Sequence, residues 1–273
     1  MLDLFDKITE TADFIRTQWR HPIEYGIVLG SGLGPVADLV TERVVIPYRA
    51  VPNFPVSTVI GHKGQLVLGR IHDRSVMIMQ GRFHAYEGYP QKLITLPIRI
   101  MKALGAHSLI VTNASGGLNP RIRQGELMLI DDHINLMWDN PLVGINDDRL
   151  GPRFPDMSRP YCPQMIARAL EVARQQNIIA HVGVYVAGRG PNYEPRSEYR
   201  MLRQIGADVV GMSTVPEVIV AVHAGLKVMG MSIVSNVCAP ESLTETKGEE
   251  VVQVVEQAAG NVAAIISGVI DAA

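Results

Sequence analysis

The sequence is short of several features that would place it outside ordinary globular proteins, and each shortage excludes something. Only two cysteines occur, Cys162 and Cys238, far apart and without metal-type spacing. No disulfide framework is therefore expected, and both read as reduced thiols of a cytoplasmic protein. The eight histidines include no i, i+4 pair with a glutamate between, and His62 and His84 lack thiol or carboxylate partners at ligand spacing, so no metal is expected. Basic clusters are missing and the net charge is -2. That balance argues against nucleic acid or an anionic membrane surface as the main partner. No run approaches a membrane span. Met1 to Arg20 interleave charges with Leu4, Ile8, Ala12, Ile15 and Trp19, which is one apolar helical face and not a signal-peptide core.

Two nucleotide signatures are missing as well. After the apolar run Tyr25 to Leu29 comes Gly30-Ser31-Gly32-Leu33-Gly34, a loop whose glycines can take positive φ and bring backbone N–H groups close to an anion. It is not the dinucleotide fingerprint, because Gly34 comes one position too early and Val51 to Pro55 carry no carboxylate for a ribose. It is not a Walker loop either, since no Gly-Lys-Ser or Gly-Lys-Thr follows. A plain tight turn and phosphate binding both remain open from this segment alone.

What is there suits one large core. At 273 residues, 47% hydrophobic and 19% charged, the chain is expected to form a single domain over residues 1–273. Strands are expected near 26–29, 66–71, 75–79, 108–112, 127–130, 181–186, 208–211 and 228–234. Helices are expected at Leu93 to Leu104, Met165 to Gln176, Glu198 to Ile205, Pro216 to Ala224 and Glu249 to Ile270. This alternation is α/β. The pair of strands around His72-Asp73-Arg74 reads as a hairpin, so the sheet should be mixed. Met137 to Tyr161 is the longest irregular stretch, suited to a binding site or a subunit contact.

Chemistry concentrates in five places. In Gly81-Arg82-Phe83-His84-Ala85-Tyr86-Glu87, alternation puts Arg82, His84 and Tyr86 on one side, where an arginine fork and an imidazole could meet one oxyanion. Thr112-Asn113-Ala114-Ser115-Gly116-Gly117 reads as a strand end offering backbone N–H groups. Gly190-Pro191-Asn192-Tyr193-Glu194 sets an aromatic ring and a carboxylate after a turn. Gly211-Met212-Ser213-Thr214-Val215-Pro216-Glu217 reads as a strand running into a helix N-terminus, an anion site or simply a capped helix. Ser235-Asn236 closes the last strand. Each has an ordinary reading as turn, cap or solvated charge. Together they sit where strands run out, as ligand sites of α/β sheets do.

Ile27 to Gly34, Phe54-Pro55-Val56-Ser57-Thr58, Gly61-His62, Gly81 to Gly88, Thr112-Asn113-Ala114 and Gly211 to Val218 together resemble the trimeric, low-molecular-mass purine nucleoside phosphorylases. The likeness runs in order, at family-like spacing, from about residue 23 to the C-terminus. It implies a one-domain nucleoside phosphorylase fold with a mixed, partly barrelled sheet flanked by helices. It further implies a homotrimer, and reversible phosphorolysis of inosine, guanosine and their deoxy forms with inorganic phosphate as cosubstrate and no cofactor. Carried across by position, the resemblance makes Ser31, His62, Arg82, His84, Ala114 and Ser213 the phosphate set. Tyr86 and Met212 would hold the ribose, while Tyr193, Glu194 and Asn236 would hold the purine. Phe154 would reach a neighbouring subunit's site. His84, Glu194 and Asn236 are the expected catalytic residues.

This chain also departs from the pattern. The family's usual histidine after the asparagine falls here near Lys247 and Gly248, which opens a second reading as a phosphorylase of 5′-methylthio nucleosides. That branch, however, has Asp where Asn236 stands and lacks a carboxylate at Glu194. Val222 and Pro195 replace an Arg and a Thr, with no role that the sequence explains. A non-catalytic nucleoside binder is a third reading, disfavoured because it would have no use for Arg82, His84 and Ser213 together.

Overall fold

In a computed structural model, residues 3–59, 61–241 and 245–271 are described. Met1 and Leu2, the start of the expected N-terminal helical face, lie outside them. Asp3 caps the first helix, α1 (Leu4–Gln18), by accepting from the Asp6 N–H at 2.7 Å. Its buried stripe of Ile8, Thr11, Ala12 and Ile15 follows the helical period. The strands are β1 (Tyr25–Leu29), β2 (Thr41–Pro47), β3 (Gln65–Ile71), β4 (Arg74–Gln80), β5 (Ser108–Gly117), β6 (Leu127–Asn135), β7 (Ala180–Ala187), β8 (Val209–Gly211) and β9 (Lys227–Val237). The other helices are α2 (Gln91–Ile94), α3 (Leu96–Ala103), α4 (Pro163–Gln175), α5 (Arg196–Gln204), α6 (Val215–His223) and α7 (Gly248–Asp271).

The strands form one mixed sheet in the order β2-β3-β4-β1-β5-β8-β7-β6-β9, and β9 pairs back onto β5. Strands β5, β8, β7, β6 and β9 thus close a ring, with β1, β4, β3 and β2 leading away as an open sheet. This is the expected α/β architecture with a partly barrelled sheet. His72 and Asp73 make the expected hairpin turn between antiparallel β3 and β4, His72 taking a left-handed φ of 51°. One apolar cluster fills the space under α1, α3 and α6, and a second lies under α4 and α7. Because both faces are covered, β1 is buried at every position, which is why it reads as an unbroken apolar run. By length and composition α7 could cross a membrane. Its Val255, Val262, Ile266 and Ile270 are buried in the second cluster, as in a core helix.

Three expectations need correction. The helix expected over Leu93 to Leu104 is two pieces broken at Thr95, because Pro97 cannot supply an N–H to the preceding turn and begins a new helix. Strand β2 is an edge strand with a bulge between Thr41 and Val44; its mostly exposed, charged positions hide the short Val44-Val45-Ile46 run. Thr112 to Gly117 is no strand end, for β5 runs on to Gly117 after leaving β1 and pairs there with β8 and β9.

Candidate active site

A cleft of about 710 Å³, open at its mouth, lies where β5 passes from the open sheet into the ring. Ser31, Arg82, His84, Tyr86, Ala114, Tyr193, Glu194, Met212, Ser213 and Asn236 all line it, as do Tyr199 and Cys238. Backbone proximity explains the small residues. A Cβ on Gly30 would come 2.9 Å from the Asn113 Cα, so β1 and β5 can approach only because that position is glycine. Of the three loop glycines only Gly32 takes positive φ, at 77°. Gly34 starts a short 3₁₀ turn, so the expectation that all three serve positive φ is wrong.

Arg82 is the most enclosed charge among the described residues, with 1% of its surface exposed. Gly81 to His84 is irregular chain and Ala85–Glu87 a short 3₁₀ turn, not a strand, yet Arg82, His84 and Tyr86 still line one cleft. The guanidinium Nε donates to Glu217 Oε1 at 3.2 Å, and Nη1 donates to the Thr112 carbonyl at 2.7 Å and to Ser213 Oγ at 3.1 Å. Nη2 is buried with no partner among the described residues. Burial pushes the Glu217 carboxyl above its usual range against the pull of Arg82. We read the pair as ionised, because the buried guanidinium has no other carboxylate within ion-pair range among the described residues.

The turn that presents Ser213 is unusual. Thr214 has φ 70° and ψ -54°, and the Val215 N–H donates back to the Ser213 carbonyl at 2.7 Å, a γ-turn that a β-branched residue rarely adopts. Asn113 Nδ2 holds the Thr214 hydroxyl at 2.9 Å, and the Tyr185 hydroxyl accepts from the Ser213 N–H at 3.3 Å.

Two imidazoles lie at this end: His84 lines the cleft, whereas His62 is not among the lining residues and reaches it through His84 and Ser31. His84 stacks on Tyr86 with centroids 4.6 Å apart, and His62 stacks on His84 at 5.5 Å. His62 Nε2 lies 3.2 Å from Ser31 Oγ, and its Nδ1 lies within reach of Ser57 Oγ and the Arg82 backbone. Burial, then the neighbouring His84 and Arg82, lower its pKa to about 3. His84 is lowered too, chiefly by burial, although its Nδ1 lies 3.1 Å from Glu87 Oε1. Burial alone would raise Glu87, but hydrogen bonds from His84 and Thr58 outweigh it and bring the carboxyl down to about 2.

At the other end, burial raises the half-buried Glu194 carboxyl, and Asn236 Oδ1 accepts from Ser235 Oγ at 2.9 Å. Phe154 is 85% exposed and lines a separate hollow with His133, Val143 and Ile219, so the chain does not bring it to its own cleft. Glu217, within the Gly211 to Val218 motif, has no role expected from the sequence. A lone carboxylate in the apolar helix Val215–His223 was signal enough that a buried cation must face it.

The comparisons with known proteins agree with this geometry. The family model described as the phosphorylase superfamily matches residues 24–271. Purine nucleoside phosphorylase 1 of Geobacillus stearothermophilus is 50% identical over 250 residues, covering 92% of this chain and 91% of that protein. The Bos taurus purine nucleoside phosphorylase is 43% identical over 270 residues, covering 96% and 93%. A crystal structure of the Schistosoma mansoni enzyme in complex with adenosine superposes with a TM-score of 0.92 at 41% identity, over 97% of this chain and 96% of that one. Matched along nearly its whole length, the chain belongs to the purine nucleoside phosphorylases of the phosphorylase superfamily.

Proposed function

We propose that the cleft catalyses reversible phosphorolysis of 6-oxopurine nucleosides, inosine and guanosine and their deoxy forms, with inorganic phosphate as cosubstrate and no cofactor. The observation that carries this is Arg82, which lines the cleft with Ser31, His84, Ala114 and Ser213 and whose buried Nη2 has no partner among the described residues. Such a donor calls for an anion. With Glu87 ionised, Nδ1 of His84 keeps the proton and Nε2 is left an acceptor, suited to the hydroxyl of hydrogen phosphate. Phosphate oxygen attacks C1′ of the sugar, the C–N bond breaks, and the purine leaves with the bonding pair. Holding the dianion below a ribosyl cation supplies proximity and charge stabilisation together, so no separate base is required. His62 lies beside the phosphate and ribose, and Tyr86 and Met212 flank the sugar. Tyr193 packs on the purine, Asn236 meets N7 and O6, and Glu194 accepts from N1–H.

In this reading the working unit is a homotrimer in which the exposed Phe154 covers a neighbouring cleft, and the compartment is the cytoplasm, which suits two unpaired thiols. One observation favours the 5′-methylthio alternative. Gly248 stands at the start of α7 where the family usually has histidine, and a Cβ there would meet nothing within 4 Å. Purine release from inosine, adenosine and 5′-methylthioadenosine, each with and without phosphate, tests all readings. The expected result is phosphate-dependent release, fastest from inosine. Since the Schistosoma enzyme was crystallised with adenosine, rates and not binding decide. Arg82→Ala should lower turnover on the order of a hundredfold or more. Equal rates with adenosine would remove Glu194 from its role, and preference for the methylthio substrate would favour the second reading.

A further inference from the structure

Asn113 and Ser232 stand opposite each other, in register, across the parallel pair β5 and β9 in the wall of the ring. Ser232 is 0% exposed, Thr214 1% and Asn113 2%, and the strand around Ser232 is otherwise apolar from Val228 to Val234. A hydroxyl sealed in such a strand must find an acceptor for its proton. The acceptor is Asn113 Oδ1, at 2.6 Å. On its other side Asn113 Nδ2 reaches the Thr214 hydroxyl at 2.9 Å, and Thr214 Oγ1 lies 3.1 Å from Oγ of Ser213, which lines the cleft.

The contact lengths give this row of hydrogen bonds a direction. An O–H donor sits about 2.7 Å from its acceptor and an N–H donor about 2.9–3.0 Å. The 2.6 Å contact is therefore the Ser232 hydroxyl donating to the amide oxygen, and the 2.9 Å contact is the amide nitrogen donating to Thr214. Ser115 Oγ, 2.7 Å from Ser232 Oγ, gives its own proton to Ser232, whose single hydrogen is already spent. Thr214 Oγ1 receives from Asn113 and, at 3.4 Å, from Arg82 Nη1, so among the described residues its own hydrogen is left to Ser213 Oγ. Ser213 Oγ thus accepts twice, from Thr214 and from Arg82 Nη1 at 3.1 Å. Both of its lone pairs are filled, and its hydrogen is left for the cleft. With the amide turned the other way the row would reverse: Thr214 would donate to Asn113, and Ser213 to Thr214.

We infer that Ser232 is a positioning residue for phosphate: by holding the Asn113 amide in one orientation it makes Thr214 a donor to Ser213 and frees the Ser213 hydrogen for the anion. The inference rests on the phosphorolysis reading above, in which Ser213 meets phosphate. Hydrogen phosphate is rich in acceptor oxygens. A hydroxyl already locked as a donor recognises it without being ordered on binding, whereas a freely rotating one loses that freedom when the anion arrives. Ser232 is not among the residues that line the cleft, so it acts only through Asn113 and Thr214.

Ser232→Ala removes the hydroxyl with little change of shape. It is read by KM for phosphate, KM for inosine, and the calorimetric Kd for inorganic phosphate in the ligand-free protein, with urea unfolding to confirm that the variant is folded. KM and Kd for phosphate should rise about tenfold, as for a weakened hydrogen bond to a charged group, while KM for inosine changes by less than about twofold. In a Ser213→Ala background the same substitution should add nothing, because its effect passes through the Ser213 hydrogen. Thr214→Val, which keeps the branched shape without the hydroxyl, should behave like Ser232→Ala, and Thr214→Ser should stay near the parent. This second pair answers the question even where Ser232→Ala does not fold. Unchanged phosphate affinity in the folded variants, or effects of Ser232→Ala and Ser213→Ala that multiply, overturns the inference. If the parent binds phosphate yet releases no purine, the phosphorolysis reading fails while calorimetry still reads the role of Ser232; if it binds no phosphate, both fail.

Discussion

Glu217 shows how one residue can govern a site it does not line. Its carboxylate is the ion-pair partner of Arg82, and both side chains are sealed from water, at 3% and 1% exposure. Removing one member of such a pair strands the other in a low-dielectric interior. Glu217→Ala should therefore cost about 3–5 kcal/mol in urea unfolding and weaken phosphate binding, because the guanidinium loses the carboxylate that anchors its Nε. Glu217→Gln, which keeps one acceptor, should retain more of both. Residues that meet the cleft through short motifs were legible in the sequence, as Ser31, Arg82, His84 and Ser213 were. Tyr199 and Cys238 were not, since a tyrosine in a polar helix and a cysteine past a strand carry no pattern. Their significance comes only from their meeting in space.

At the scale of elements, the segment from Gly211 to Val215 is the most constrained. Its γ-turn ends β8, starts α6, and sets Ser213 against Arg82 within a few residues. Positive φ at a β-branched residue costs on the order of 1–3 kcal/mol and persists only where the surroundings over-determine it. The Thr214 contacts with Asn113 and Arg82 supply that constraint. Thr214→Gly should relieve the backbone yet lose those bonds, so thermal unfolding should change little while KM for phosphate rises. A substitution at Gly30 behaves oppositely. Gly30→Ala has no flexible neighbour to displace, only the backbone of Thr112 and Asn113, and should destabilise by about 1–3 kcal/mol on denaturant titration. Helices and central strands were readable because their periodicity reports burial on one face or two. The edge strand β2 and the break at Thr95 were not, because an exposed edge has little apolar pattern and a proline can either start a helix or end one.

For the whole molecule, burial lowers the pKa of His62, to about 3, and also those of His84, His133 and His223. A histidine lowered in the folded state takes up its proton more readily when unfolded. Its stabilising effect is complete above the unfolded value of about 6.5 and is lost as pH falls from there toward the folded value. The urea midpoint should thus be flat above neutrality and drop between pH 7 and pH 5, values chosen to straddle that reference. A midpoint that rises on acidification would mean these rings are not held neutral. Ring closure was legible from the sequence only through family resemblance, because which strand returns to β5 is a long-range choice that no local pattern carries. That closure has a consequence for biosynthesis. Strand β5 acquires its neighbour β9 only when Ser108 finds Lys227, and α7, which packs against the Gly32 loop, is made later still. A nascent chain on the ribosome, with β5 already outside, still lacks one wall of the pocket and the helix that packs over the Gly30–Gly34 loop. It can therefore neither trap substrate nor shield its unpaired strand edge until β9 and α7 have been made, and chaperones that cover exposed strands should be needed most in that interval.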